Sequence, residues 1–144
     1  MIARLLMCLL ALIWVEVSHA ADSIDVSVIQ LIATPERFDG KRVRVIGFLN
    51  LEFEGNALYV HREDYDQAIA KNALWIDTTP QKTGSVSAFA SKNLSNQYVI
   101  VEGVFDAKNT GHKGSFSGAI KEISRADRWQ NRAEIEKIIQ GHKP

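Results

Sequence analysis

Cysteine is almost absent. The 144 residues hold one, Cys8. It sits inside an apolar run and behind Met7, where a lipidated cysteine wants a small residue. A chain trimmed after residue 20 holds no cysteine at all. Such a chain has no disulfide staple, no thiol nucleophile and no thiolate metal ligand. Proline is scarce at three, and charge of one sign is not in excess, with 17 basic and 17 acidic residues. Balance of that kind lacks the basic surplus of a typical nucleic-acid binder and the polybasic cluster that grips anionic membranes. On this ground nucleic acid is disfavoured as a partner. Long hydrophobic runs are also missing beyond the first fifteen residues.

What is present begins with those residues. Met1 to Arg4 is a short positive start, residues 5–15 are apolar, and Ser18-His19-Ala20 puts small residues at the −3 and −1 positions of a cut. This is the layout of a secretory signal peptide. The run is shorter than the roughly 20 residues a spanning helix needs, and Glu16 closes it. Cleavage after Ala20 is expected, with an uncleaved anchor as the alternative. The product, residues 21–144, is expected to be one periplasmic or secreted domain with no stable membrane insertion.

Along that domain, Ser27-Val28-Ile29-Gln30 has the form of a capping box. Val28, Leu31 and Ile32 follow at helical spacing, and Pro35 stops the helix near Ala33. From Arg42 to Phe53 the chain alternates: Val43, Val45, Gly47, Leu49, Leu51 and Phe53 on one face, Arg42, Arg44, Ile46, Phe48, Asn50 and Glu52 on the other. A period of two means a half-buried strand. Glu54-Gly55-Asn56 is hairpin chemistry, and 57–61 is the return strand. Residues 73–77 form a third strand, 85–94 a short helix, 97–106 a fourth strand and 115–124 a fifth. Asn131-Arg132-Ala133-Glu134 again resembles a capping box. It opens a terminal amphipathic helix with Ile135, Ile138 and Ile139, expected to dock on the strands with Trp129 stapling it down.

Val43-x-Val45-x-Gly47 is echoed by Val99-x-Val101-x-Gly103. Glycine inside a strand marks a bend or a close backbone approach, and two strands that bend suit a small closed barrel. Three strands, a short helix, then two strands is the order of the OB-fold, a five-stranded Greek-key barrel. The expected class is therefore mainly β, a barrel with a short helix before it and a C-terminal helix after it. The run QLIATPERFDGKRVRVIGFL resembles the start of many small OB-fold domains, a class that includes barrels of the nucleic-acid-binding, tRNA-anticodon type. The continuation LEFEGNALYVHREDY with NALWID is similar to a group of small exported bacterial proteins. The resemblance spans roughly residues 26–124 and implies the fold. It carries over no catalytic residue.

The residues offer a binding surface more readily than a reaction. No Ser-His-Asp elbow, paired catalytic carboxylates or Gly-rich phosphate cradle is present, so no enzyme activity and no cofactor are expected. The candidate binding residues are Arg44 and Phe48 on the first strand, Tyr59 and His61 on the second, Trp75 on the third and His112 on the glycine-flanked loop KNTGHKG. The leading expectation is a non-catalytic module that takes a protein partner or an envelope glycan on the barrel face. Two alternatives stand beside it. Basic and aromatic residues on one face could instead stack bases and track phosphates. His61 with Glu63, Asp64 and Asp66 could serve a metal, although their spacing matches neither a calcium loop nor H-E-x-x-H. No metal ligand set is assigned.

Overall fold

The computed structural model describes residues 22–79 and 93–141. The expected leader and most of the expected helix at 85–94 lie outside the described residues.

The chain enters through a two-residue strand, β1 (Ile24–Asp25), then two short helices, α1 (Val28–Ala33) and α2 (Pro35–Phe38). The capping box at Ser27 forms: its Oγ accepts the Gln30 N–H at 3.1 Å, and Gln30 Oε1 accepts the Ser27 N–H at 3.0 Å. Two donors that the first turn would leave bare are thereby met. Pro35 ends α1 and starts α2 as its first residue. Val28, Leu31 and Phe38 point into the core.

Five strands then build the barrel: β2 (Arg42–Asn50), β3 (Ala57–Tyr59), β4 (Ala73–Ile76), β5 (Gln97–Asp106) and β6 (Ala119–Arg128). They neighbour one another in the order β2-β3-β4-β6-β5, and β5 pairs back onto β2. The ring is closed. β4 and β6 run parallel, with Trp75 opposite Ala119; the other barrel pairs are antiparallel. This is the OB-fold barrel that the strand order leads one to expect. The short helices α1 and α2 precede it, α3 (Arg62–Asp66) links β3 to β4, and α4 (Arg132–Gly141) follows β6.

Alternation explains the core. Val43, Val45, Leu49, Leu58, Leu74, Ile76, Val99, Val101, Phe105 and Ile120 all point inward and are buried. Each such side chain contributes about 1.5–3 kcal/mol by leaving water. The two strand glycines do what their position implies. A Cβ on Gly47 would lie 2.6 Å from the Tyr59 carbonyl oxygen, and one on Gly103 would lie 2.6 Å from Ile120 Cγ2. Neighbouring strands cross too closely there for any side chain.

Four elements differ from the sequence expectation. β2 stops at Asn50, because the Leu51 N–H turns to Ser95 Oγ at 2.9 Å and Glu54 adopts φ 59°. Phe53, expected on the inner face, is therefore 93% exposed at the hairpin tip. β3 ends two residues early, because the His61 N–H is taken by Asp64 Oδ2 at 3.0 Å. β6 begins and ends four residues later than expected. Gly111, Lys113, Gly114 and Gly118 all have positive φ. They keep the loop curled until the Gly118 carbonyl accepts the Trp75 N–H at 2.8 Å. Finally, the expected docking of α4 is not seen among the described residues: it buries none of its residues, and Trp129 is 42% exposed. Asn131 Oδ1 accepts the Glu134 N–H at 3.1 Å, Glu134 Oε2 accepts the Asn131 N–H at 3.1 Å, and Arg128 pairs with Glu134. Together these ties aim the helix off the end of β6.

Candidate binding face

Strand alternation puts a second set of side chains outside the barrel. Phe48, Ala57, Tyr59, Ala73 and Phe116 form a separate buried cluster, packed against Tyr65, Ala70 and Trp75. Tyr98, Phe48 and Tyr59 are successive cross-strand partners on β5, β2 and β3, so their rings line up. Phe48 meets Tyr98 edge-on with centroids 5.6 Å apart, and Tyr65 of α3 closes over Phe48 at 5.9 Å and Tyr59 at 5.5 Å. On β4, Trp75 packs against Phe116 at 5.5 Å. Aromatic pairs at these separations add about 0.5–1.5 kcal/mol beyond their area.

The expected face is thus partly filled by the protein itself. Phe48 and Tyr59 are 3% and 6% exposed. They support the surface from beneath rather than present it. Burial also pushes the Tyr59 hydroxyl above its ordinary range. Trp75 is half-buried and is the ring of this cluster that reaches the loops. The loop after β5 is seated on it: a Cβ on Gly111 (φ 64°) would lie 2.8 Å from the indole and 2.9 Å from Phe116. The next residue, His112, sets Nε2 3.4 Å from Glu54 Oε2 on the hairpin between β2 and β3. The pair is ionic only when the imidazole is protonated. The hairpin bearing Glu54 and the loop bearing His112 therefore meet, with Trp75 under the loop at Gly111; Phe53 is exposed on that hairpin, and Lys108 and Lys113 are exposed on that loop. Lys71 ties the loop's far end down, its Nζ donating to the carbonyl oxygens of Gly114 at 3.1 Å and Phe116 at 3.4 Å.

His61 and Arg44 fall elsewhere. His61 is exposed at the start of α3, and its acidic neighbours do not converge on it. Asp64 is buried and already accepts the His61 N–H and the Asn72 side-chain amide, at 3.0 and 2.7 Å. Asp66 leans to Arg62 at 3.5 Å. Among the described residues no group of three or more His, Cys, Asp or Glu gathers to hold a metal. Arg44 lies on the outer side of β2 and β5. Its Nε donates to Glu102 Oε1 at 2.8 Å, with Asp25 3.4 Å away, and Arg125 reaches the same Glu102 oxygen at 3.2 Å. Burial pushes Glu102 up, but the hydrogen bonds from Arg44 and Arg125 outweigh it and hold the carboxyl below its usual range. The same Glu102 contact raises Arg44.

Beside Arg44 an open groove of about 490 Å³ runs along Val26, Ile46, Ile100 and Trp129. Sequence reasoning did not single out this groove. Tyr65, Phe116, Gly111 and Phe53 also escaped it. The glycine run around His112 is the one signal that pointed to a loop able to seat closely on a ring.

No protein-family model and no curated protein sequence matches the chain. Among solved structures it is similar to the telomere capping protein Ten1 from Saccharomyces pombe, at 11% identity, covering 83% of this chain and 96% of that one, with a TM-score of 0.41. It is also similar to a chain of the S. pombe Stn1–Ten1 complex, at 9% identity, covering 85% and 92%, with a TM-score of 0.41. Likeness of this degree assigns no ligand. The expectation against a nucleic-acid partner is nonetheless withdrawn. That expectation rested on the neutrality of the whole chain, which says nothing about local charge.

Proposed function

We propose that the chain is a non-catalytic binding module whose ligand lies in the cleft between the β2–β3 hairpin and the β5–β6 loop. A single-stranded nucleic acid is the ligand class the cleft fits best. One observation carries this reading. Phe53 is bared on the hairpin beside Glu54, Glu54 meets His112 of the β5–β6 loop, and that loop bears Lys108 and Lys113 and rests on the half-buried Trp75 at Gly111. Exposed rings give bases a surface to stack on, and lysines on a loop track a phosphate chain. The leucine-like interior offers no such contacts, and the Phe48–Tyr59–Tyr65 stack gives the cleft a rigid floor. A neutral glycan would use the same rings without the lysines. Export after cleavage at Ala20 is proposed alongside, from the leader pattern alone; the mature N-terminus read by mass spectrometry tests it.

The binding test is fluorescence anisotropy of a labelled thymidine oligomer at about 50 and 200 mM salt. The expected result is binding that weakens steeply with salt and falls about tenfold or more in Phe53→Ala, since one base stack is worth about 1–3 kcal/mol. Absence of binding at low salt contradicts the proposal. Binding that ignores salt moves the assignment to a neutral polymer.

A further inference from the structure

We propose, resting on the cleft assigned above, that Glu54 and His112 form a pH-sensitive latch that shuts it. A ligand lying between the β2–β3 hairpin and the β5–β6 loop must part the two. They already touch: His112 Nε2 stands 3.4 Å from Glu54 Oε2. The same contact holds the loop down where Gly111 covers the indole of Trp75.

Both halves of the pair sit in costly backbone. Glu54 has φ 59°. Gly111, before His112, has φ 64° and ψ −157°, and Lys113, after it, has φ 53°. Such conformations persist where surrounding contacts over-determine them, and they gather at clamps and switches. The loop's other anchors are of a different kind. At its base Asp106 Oδ1 accepts the N–H groups of Lys108 and Asn109, both at 3.1 Å. At its far end Lys71 Nζ holds the carbonyls of Gly114 and Phe116. Carboxylates and ammonium groups ordinarily keep their charge between about pH 5 and pH 8, where an imidazole changes its own. The tie to the hairpin is the anchor that carries an imidazole.

The surroundings leave that change to His112. The hairpin adds Glu52, which packs on Gly55. The loop adds Lys108 and Lys113, and the turn before β4 adds Lys71. Beyond β4, Asp77 Oδ1 accepts the Thr79 N–H at 2.9 Å. Among these described neighbours there is no second imidazole. In acid the ring carries a proton, the pair is ionic, and the loop stays closed on Trp75. As pH rises the ring loses its proton, the attraction goes, and the cleft opens. A direct phosphate contact by His112 would work the other way and favour the ligand in acid.

The first test needs no ligand. In the full chain with Trp14→Phe and Trp129→Phe, Trp75 is the one emitter left. Its quenching by acrylamide is expected to rise between about pH 5.5 and about pH 8. Glu54→Gln should give the high-pH quenching at both ends, and His61→Ala should keep the rise. Quenching that is flat with pH, or a rise that survives Glu54→Gln or vanishes in His61→Ala, overturns the latch. The second test is stopped-flow association of a labelled thymidine oligomer. It is expected to be about two- to fivefold slower in acid, the range an exposed ion pair spans, with no such slowing in Glu54→Gln. Faster association in acid by the unaltered chain overturns the gate. An oligomer that binds at neither pH contradicts the cleft reading instead, and the quenching still decides the latch.

Discussion

The two outer sides of this barrel are built from the same kind of strand and end differently. On the β3–β4 side, rings that alternation turns outward are roofed by the chain: Tyr65 covers Phe48 and Tyr59, and Phe116 covers Trp75. On the β2–β5 side, Ile46 and Ile100 line a groove that stays open among the described residues. The first side costs loop freedom, since Gly111 must sit tight on the indole. It leaves Phe53 exposed on the hairpin and Lys108 and Lys113 exposed on the loop. The second keeps an apolar trough framed by an ion-pair ladder. A closed face and an open one on a single small barrel imply two different kinds of contact.

The largest expected effect comes from unroofing the closed side. Phe116→Ala removes a ring that is 5% exposed and should cost about 3 kcal/mol, as for other buried aromatic truncations. Thermal unfolding would report the loss, and tryptophan emission would shift red as Trp75 meets water. Gly111→Val should act in the same direction, because the new Cβ meets the indole and the backbone must hold φ at 64°. If neither change moves the melting temperature, the loop is not seated on Trp75 and the contrast between the two sides fails.

The shape of the barrel was open to reading in the sequence, and the roof was not. Val43, Val45, Val99 and Val101 announce a period of two, Gly47 and Gly103 mark the places where strands crowd, and Ser27 and Asn131 announce their caps. These are local patterns, set by neighbours along the chain. Tyr65 is a single aromatic among charges in REDYD, where no period assigns it a side. Phe116 follows Gly111, Lys113 and Gly114, all at positive φ, and the strand after it starts four residues late. Phe53 was misplaced because alternation was carried past Asn50, where the ladder had already ended. The isoleucine stripe of α4 shows what the helix would bury but not against which surface, and its cap decides the direction.

Removing the charge ladder on the open side should have a smaller effect. In the folded protein Glu102 is held below its ordinary value of 4.5. A lowered carboxylate pKa adds stability above the unfolded value, and that stability is lost as pH falls through the folded one. Glu102→Gln should therefore lower stability at neutral pH by about 1 kcal/mol or less, as for largely exposed pairs, and flatten the decline below about pH 4.5. Denaturant melts at several pH values would show whether the two curves converge in acid. A constant offset down to the lowest pH would mean that Arg44 and Arg125 do not hold this carboxylate.

The smallest effect on stability belongs to Phe53→Ala, which should leave the melting temperature within about 0.5 kcal/mol equivalent while weakening ligand binding. A stability loss of the size seen for Phe116→Ala would show that the hairpin tip is packed, not bare.

The most direct test of the central claim is a backbone and indole NMR titration of the labelled chain with a thymidine oligomer. The account predicts shifts at Phe53, the Trp75 indole, Lys108, Gly111, His112 and Lys113, with Ile46, Ile100 and Trp129 unmoved. Shifts confined to the Trp129 groove, or none at any concentration, would contradict it.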